Sequence, residues 1–514
     1  MNRRPALALP LLLAALAACT SRPTAQRPSG GARRGEGTAR ALAVSADGAW
    51  LAWLDGCVDA RVRSLPPGTA SCDLEVARVD GTGAPVRVAQ QVTTLPGGLA
   101  WSPVGATLGV LARHDYATAQ GALVRWTPGG GAAELAQGVG FFAFGRDGAL
   151  GYIAGGELYL DGAAGAVPGT TGASTFELAP ATTPGGLRAL VRRRSTSGGD
   201  LLAVPASGPA VKLAPAVGDY GFSRGGERYA FTRIGAEGAE LQLADARAGA
   251  RPQALARAVS SFAFEPAGPA LAFVAGTTPG HQGDLRLAAP GGPVTLLGKA
   301  VGEYHWAAAA PRLVWLERYD ARVRSGAVGA GGPGIAPRTF GERVSDAEIS
   351  PDGKAIAFLQ HSTRGGYSVD LAVALLDAAP GAAARAVAPD VFGFAFSPDG
   401  RWLYYRTRCS GGNAEACDLE RIPAAGPVEG QKPEAIAEAA RSFEFAAARP
   451  ERLLLTWARG DGLLEVGVWE AGRLTRVDGG VVPGTARLLP PDARRLAYAV
   501  AEKGREGVYV AEVP

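Results

Sequence analysis

The sequence predicts an all-β protein built as a β-propeller, and three observations carry that prediction. A Ser-Pro-Asp-Gly turn between two short apolar strands, fullest in Phe394-Ala395-Phe396-Ser397-Pro398-Asp399-Gly400-Arg401-Trp402-Leu403-Tyr404-Tyr405, recurs along the chain. Its copies are spaced by 43 residues from Gly105 to Gly148, 42 from Gly226 to Gly268 and 47 from Gly353 to Gly400. A second marker, an acidic residue followed by Leu, opens the next strand in many repeats, as at Asp73-Leu74, Glu157-Leu158, Asp200-Leu201, Glu240-Leu241, Asp284-Leu285, Asp370-Leu371 and Asp418-Leu419. A period of about 40–45 residues made only of strands and turns marks propeller blades.

The turn chemistry explains the hairpin. Ser caps the turn, Pro presets φ, Asp fits the third place and Gly takes the conformation that swings the chain back. The clear copies are Val44-Ser45-Ala46-Asp47-Gly48, Trp101-Ser102-Pro103-Val104-Gly105, Phe144-Gly145-Arg146-Asp147-Gly148, Phe222-Ser223-Arg224-Gly225-Gly226, Phe264-Glu265-Pro266-Ala267-Gly268 and Ile349-Ser350-Pro351-Asp352-Gly353. Weaker ones sit at Thr183-Pro184-Gly185-Gly186, Ala310-Pro311, Arg449-Pro450-Glu451 and Pro490-Pro491-Asp492. Together they predict about eleven four-stranded blades. The last repeat stops at Val508-Tyr509-Val510-Ala511-Glu512 without an outer strand. Another segment must cover that edge, one from the N-terminal side being a candidate, because an open edge invites aggregation.

At 514 residues the chain exceeds one ordinary core. Its 73 Gly and 37 Pro are high, but 47% apolar content argues against disorder, so the excess belongs to turns. The formal net charge is +4, yet residues 1–40 carry seven Arg and one Glu, leaving about −2 for the rest. Nucleic-acid binding needs a concentrated basic face, which this balance does not supply.

Arg3 and Arg4 precede an apolar run from Ala6 to Ala18, then Cys19. This is a secretory leader, too short for a spanning helix. Leu16-Ala17-Ala18-Cys19 resembles the lipobox of bacterial lipoproteins, which implies lipidation of Cys19 and removal of the leader before it. Thr20 and Ser21 follow, with no Asp to signal inner-membrane retention, so the resemblance implies an outer-membrane address. Residues 20–38, rich in Ser, Pro, Gly, Arg and Thr, are expected to be a flexible tether.

With Cys19 set aside, Cys57, Cys72, Cys409 and Cys417 remain, and the repeats select their pairing. Cys57 lies ten residues after Asp47, and Cys409 ten after Asp399; Cys72 and Cys417 each begin Cys-Asp-Leu-Glu. Each pair sits at the mouth of one hairpin, predicting 57–72 and 409–417 disulfides in an oxidising compartment. Neither spacing suits zinc.

Single propellers run to about eight blades, so eleven copies imply two tandem rings. Trp53-Leu54-Asp55 leads into Asp59-Ala60-Arg61-Val62-Arg63-Ser64, and Trp315-Leu316-Glu317 into Asp320-Ala321-Arg322-Val323-Arg324-Ser325. That duplication, six repeats apart, places a boundary near residue 300: one propeller over 39–300 and a second over 301–514. The cysteine hairpins do not share the period.

The repeat resembles the WD40-like (PD40), TolB-type propeller family, from residue 40 onward. That resemblance implies the fold and a periplasmic, partner-binding setting. The small α/β domain of TolB and the hydrolase domain of propeller peptidases have no counterpart here, so the family brings no functional residue with it.

Gly221-Phe222-Ser223-Arg224-Gly225 matches G-x-S-x-G, but its Ser occupies the turn place held elsewhere by Ser45, Ser102, Ser350 and Ser397, not a strand–turn–helix elbow. Gly329-Ala330-Gly331-Gly332-Pro333-Gly334 matches G-x-G-x-x-G, yet Ile-Ala-Pro follows and opens no helix for a phosphate. His114, His281, His305 and His361 form no H-x-x-x-H or H-E-x-x-H pattern. No metal or cofactor is expected. Residues entering the innermost strands are expected at the channel mouth, and Asp219, Tyr220, Glu303, Tyr304, His305, Asp346 and Asp390 there suit a peptide or a basic protein surface. The reading is a lipid-anchored, non-catalytic envelope module that binds a protein or peptide. The alternative is a polysaccharide- or peptide-processing enzyme with its site at a channel mouth.

Overall fold

The computed structural model describes residues 31–60, 65–180, 186–195, 199–247, 249–277, 282–361, 369–379, 381–410, 416–428, 431–446 and 449–513. The leader with Cys19, His281, and most of the turn at Thr183-Pro184-Gly185 lie outside them. Apolar runs cut at short intervals by Gly- and Asp-bearing turns favour strands over helices. Among the described residues there are 41 strands and no helix.

Five sheets have four strands, and three larger ones hold two blades each, which makes the eleven blades expected. In order they span 41–93, 99–139, 139–160, 173–214, 217–256, 261–298, 303–341, 344–388, 393–440, 442–481 and 487–512. Two long strands, Gly131–Phe144 and Ile335–Ile349, each close one blade and open the next. Blade 3 departs from the four-stranded expectation: the segment after Glu157–Leu160 is Gly-rich and broken by Pro168, so it forms no strand. It follows the edge through a hydrogen bond from the Val167 amide to the Leu158 carbonyl (2.8 Å).

The Ser-Pro-Asp-Gly turns work as a hydrogen-bonded unit. Ser45, Ser350 and Ser397 are buried, and each Oγ donates to the turn Asp at 2.5, 2.7 and 2.6 Å. Each Oγ also accepts the amide of Trp50, Ala355 or Trp402 at 3.0 Å. Gly48, Gly353 and Gly400 hold φ near +70°, a region costly for side chains. Ser223 uses the same geometry, bonding Glu227 Oε2 (3.0 Å) and the Arg228 amide (3.1 Å), which makes it a turn residue as the sequence predicts. Arg449-Pro450-Glu451, expected as a turn, instead begins the strand Arg449–Ala458.

The acidic-Leu marker falls on the third strand of its blade. It opens the strand at Glu157, Asp200 and Asp284, but lies mid-strand at Asp73-Leu74 and Asp418-Leu419, where the disulfide hairpins lengthen the strands. Its leucines are buried because they enter the cores between blades. Both disulfides have the predicted pairing, Cys57–Cys72 and Cys409–Cys417.

Blade 11 has three strands of its own, and the fourth comes from the N-terminal side. Ala32–Gly35 pairs antiparallel with Gly507–Glu512, so the segment expected as a tether over 20–38 ends in a strand. An open edge of unpaired amides accounts for that ordering. Gly35 lies against the Trp53 indole, where a Cβ would come within 2.4 Å of the ring.

Apolar clusters join each blade to the next. A further cluster packs Leu489, Ala497 and Val510 of blade 11 against Leu42, Leu51 and Trp53 of blade 1. The boundary expected near residue 300 falls between blades 6 and 7. There Leu285, Leu287, Leu297 and Val301 meet Leu313 and Trp315 in an apolar core.

Candidate binding cleft

A cleft of about 910 Å³ crosses the inner strands and turns of blades 3 to 6. Its position follows from the blade plan: inner strands present alternate side chains to the two neighbouring blades, leaving grooves where the turns stand apart. From Ala173–Leu178 in blade 4, Glu177 points toward blade 5; from Val217–Phe222 in blade 5, Tyr220 and Phe222 point back. The Tyr220 hydroxyl lies 3.0 Å from Thr175 Oγ1, and the Phe222 amide donates to Glu177 Oε1 at 3.3 Å. Gly221 makes room, since a Cβ there would stand 3.2 Å from Glu177 Oε2.

Two arginines tie the turns together. Arg146 Nη1 donates to the Arg224 carbonyl (2.7 Å), linking blades 3 and 5, and Arg224 Nη1 donates to the Pro266 carbonyl (3.0 Å), linking blades 5 and 6. Both arginines occupy the place that Pro holds in the Ser-Pro-Asp-Gly turn. Glu265 in turn stands where Ser would be; it is buried, and its carboxylate accepts the Ala270 amide. Phe262, Phe264 and Pro266 complete the wall.

The electrostatics follow from burial. Desolvation pushes the Glu177 carboxyl up, only partly offset by the Phe222 amide and the Arg146 charge. Burial likewise raises Glu265 and the Tyr220 phenol. The exposed Asp219 stands at the opening, its amide donating to Thr232 Oγ1 at 3.0 Å.

Of the seven residues predicted for the mouth, the cleft gathers Asp219 and Tyr220. Glu303, Tyr304 and His305 lie on Glu303–Trp306 of blade 7, and Asp346 lies exposed on the inner strand of blade 8. Tyr304 is a packing residue: its hydroxyl faces the Ala272 carbonyl (3.4 Å), and burial pushes its pKa up to about 12. Asp390 is exposed on the connector into blade 9 with φ +52°, a conformation repeated at Ala216, Ala258, Ala300, Arg343 and Ala439.

The sequence reading missed Arg146, Glu177, Arg224 and Glu265. For three of them a signal was present: Arg146, Arg224 and Glu265 each replace the Ser or Pro of their turn. Glu177 carries no such mark, because only the fold shows which way an inner-strand residue points. Among the described residues, no group of three or more His, Cys, Asp and Glu side chains is placed to hold a metal ion.

No family model matches the chain, and no curated protein matches it. Among solved structures it is similar at 13% identity to a eukaryotic initiation factor, over 65% of this chain and 95% of that one, with a TM-score of 0.32. It is similar at the same identity to the Dos1 propeller, over 65% and 92% (TM-score 0.34), and to Kuenenia stuttgartiensis hydrazine synthase, over 58% and 96% (TM-score 0.28). None of these lends a ligand, and the propeller assignment rests on the blades themselves.

Proposed function

We propose that this protein is an exported, lipid-anchored propeller of the TolB type that acts as a non-catalytic binding or scaffold module for an envelope protein or peptide. The anchor is Cys19, the address the outer membrane, and the ligand site the cleft of blades 3 to 6. The observation that carries this reading is the cleft's composition: the buried Glu265, the half-buried Glu177, the exposed Asp219 and aromatic side chains in one groove. An extended peptide bearing a basic side chain suits it, with the ammonium or guanidinium at Asp219 and Glu177 and apolar groups on Tyr220, Phe262 and Phe264. Peptides released from envelope proteins, passed over immobilised protein, test the reading. Retention of basic-aromatic peptides that Asp219→Lys abolishes supports it; indifference to that substitution contradicts it.

A second reading rests on the raised Glu177 and Glu265 carboxyls, since a general acid needs a pKa above the usual carboxylate range. Turnover of envelope polysaccharides or peptides, lost in Glu177→Gln, would favour it.

A further inference from the structure

We infer that a second site, distinct from the cleft, lies on blades 7 and 8 and binds a phosphate group. Arg322, Arg324, Ser325, Arg343, Ser345 and His361 line a cavity of about 710 Å³ at the hairpin of blade 7 and the connector into blade 8.

The hairpin's backbone does not call for these side chains. Blade 2 builds the same turn from Asp115-Tyr116-Ala117-Thr118-Ala119-Gln120. In both, the leading Asp accepts the amide two residues on, at 2.9 Å in blade 2 and 2.8 Å in blade 7. Asp115 pairs with Gln120 as Asp320 pairs with Ser325, and Ala119 and Arg324 share φ of +54° and +51°. Where blade 2 has Ala117 and Ala119, blade 7 has Arg322 and Arg324. The connector repeats the contrast: Arg343 takes the positive-φ place that is Ala at 216, 258, 300 and 439. The backbone accepts Ala in these places, at 117 and 119 of blade 2 and at 216, 258, 300 and 439 of the connectors, yet Arg322, Arg324 and Arg343 stand here and line one cavity.

The neighbouring acids are engaged. Arg318 pairs with Glu342, Glu317 accepts from Thr339 and Trp315, and Asp320 caps the turn. Among the described residues, no ion pair within 4.0 Å joins Arg322 or Arg324 to a carboxylate. Among the described residues the buried His361 Nε2 has no hydrogen-bond partner, and two serine hydroxyls complete the lining. Guanidinium forks match tetrahedral oxyanions bidentately, and the concentration of positive charge favours a dianionic phosphomonoester over a single carboxylate.

The source of the phosphate, a soluble sugar phosphate or a lipid headgroup, is separated by the test. Purified full-length protein is titrated with inorganic phosphate and with glucose 1-phosphate, then floated with phosphatidylcholine vesicles with and without phosphatidic acid. Arg322→Ala/Arg324→Ala, which gives blade 7 the residues of blade 2, should weaken phosphate binding about tenfold or more, from the loss of charge-assisted hydrogen bonds. Arg233→Ala, on the blade 5 hairpin, should leave it unchanged, and unaltered melting of all variants confirms the fold. Flotation with phosphatidic acid in addition assigns the lipid source; titration alone assigns the soluble one. Absence of phosphate binding, equal loss in Arg233→Ala, or vesicle binding without phosphate binding overturns the site.

Discussion

The Gly31 amide donates a hydrogen bond to the Tyr498 hydroxyl at 2.9 Å, joining residues 467 positions apart. Tyr498 Oη in turn donates to Asp478 Oδ2 (2.9 Å), so one buried phenol links the N-terminal strand, blade 11 and the end of blade 10. The strand Ala32–Gly35 thereby completes a blade whose other strands come from the far end of the chain.

Deleting residues up to 38 should destabilise the protein far more than deleting those up to 30. Three paired positions are lost, on the order of 3 kcal/mol at about 1 kcal/mol per hydrogen bond, and the Gly507–Glu512 edge is bared. Thermal unfolding and light scattering check this. Equal melting and equal solubility of the two truncations would refute the strand's role.

The Ser-Asp turns predict a pH-dependent stability. Burial would raise the Asp399 carboxyl, but hydrogen bonds from Ser397 and Arg401 outweigh it and hold the pKa below the ordinary 3.8. Its contribution is therefore complete above that value and lost as pH falls through the lower folded pKa. Asp399→Asn should destabilise at neutral pH, with the deficit shrinking below pH of about 4. Ser397→Ala should cost about 1–3 kcal/mol, because the Trp402 amide loses its acceptor. Denaturant unfolding across pH measures both, and a deficit that does not change with pH would contradict the turn assignment.

This turn shows what was legible in the sequence. Blade number, disulfide pairing and the structural role of Ser223 all followed from register, because one local motif repeats with fixed chemistry. The cleft was half legible: Asp219 and Tyr220 were found from position in the blade, while Glu177 was not. Its orientation depends on Gly221 in the next blade, a pairing across blades that no linear spacing encodes. The duplication around Trp53 and Trp315 puts buried indoles at equivalent strand positions of blades 1 and 7.

Each disulfide should contribute about 2–3 kcal/mol by closing loops with separations of 15 and 8 residues. Peptide mapping without reductant should recover 57–72 and 409–417, and reduction should lower the melting temperature. Cross-linked pairs or free thiols in exported protein would defeat the register argument.

On the proposed lipid anchor, Cys19→Ser should release the protein from membrane pellets and abolish acyl labelling, because acyl chains would be what holds it there. Unchanged membrane retention would remove the lipid anchor from the proposal.

The central claim, that the cleft of blades 3 to 6 holds a partner, is tested most directly by photo-crosslinking in intact cell envelopes. A photoreactive phenylalanine derivative replaces either Phe264, in the cleft, or Phe392, which is 58% exposed on the connector into blade 9. The cleft probe should give a defined peptide or protein adduct that Asp219→Lys removes, and the connector probe should not. Equal adducts from both positions, or a cleft adduct indifferent to Asp219→Lys, would contradict the claim.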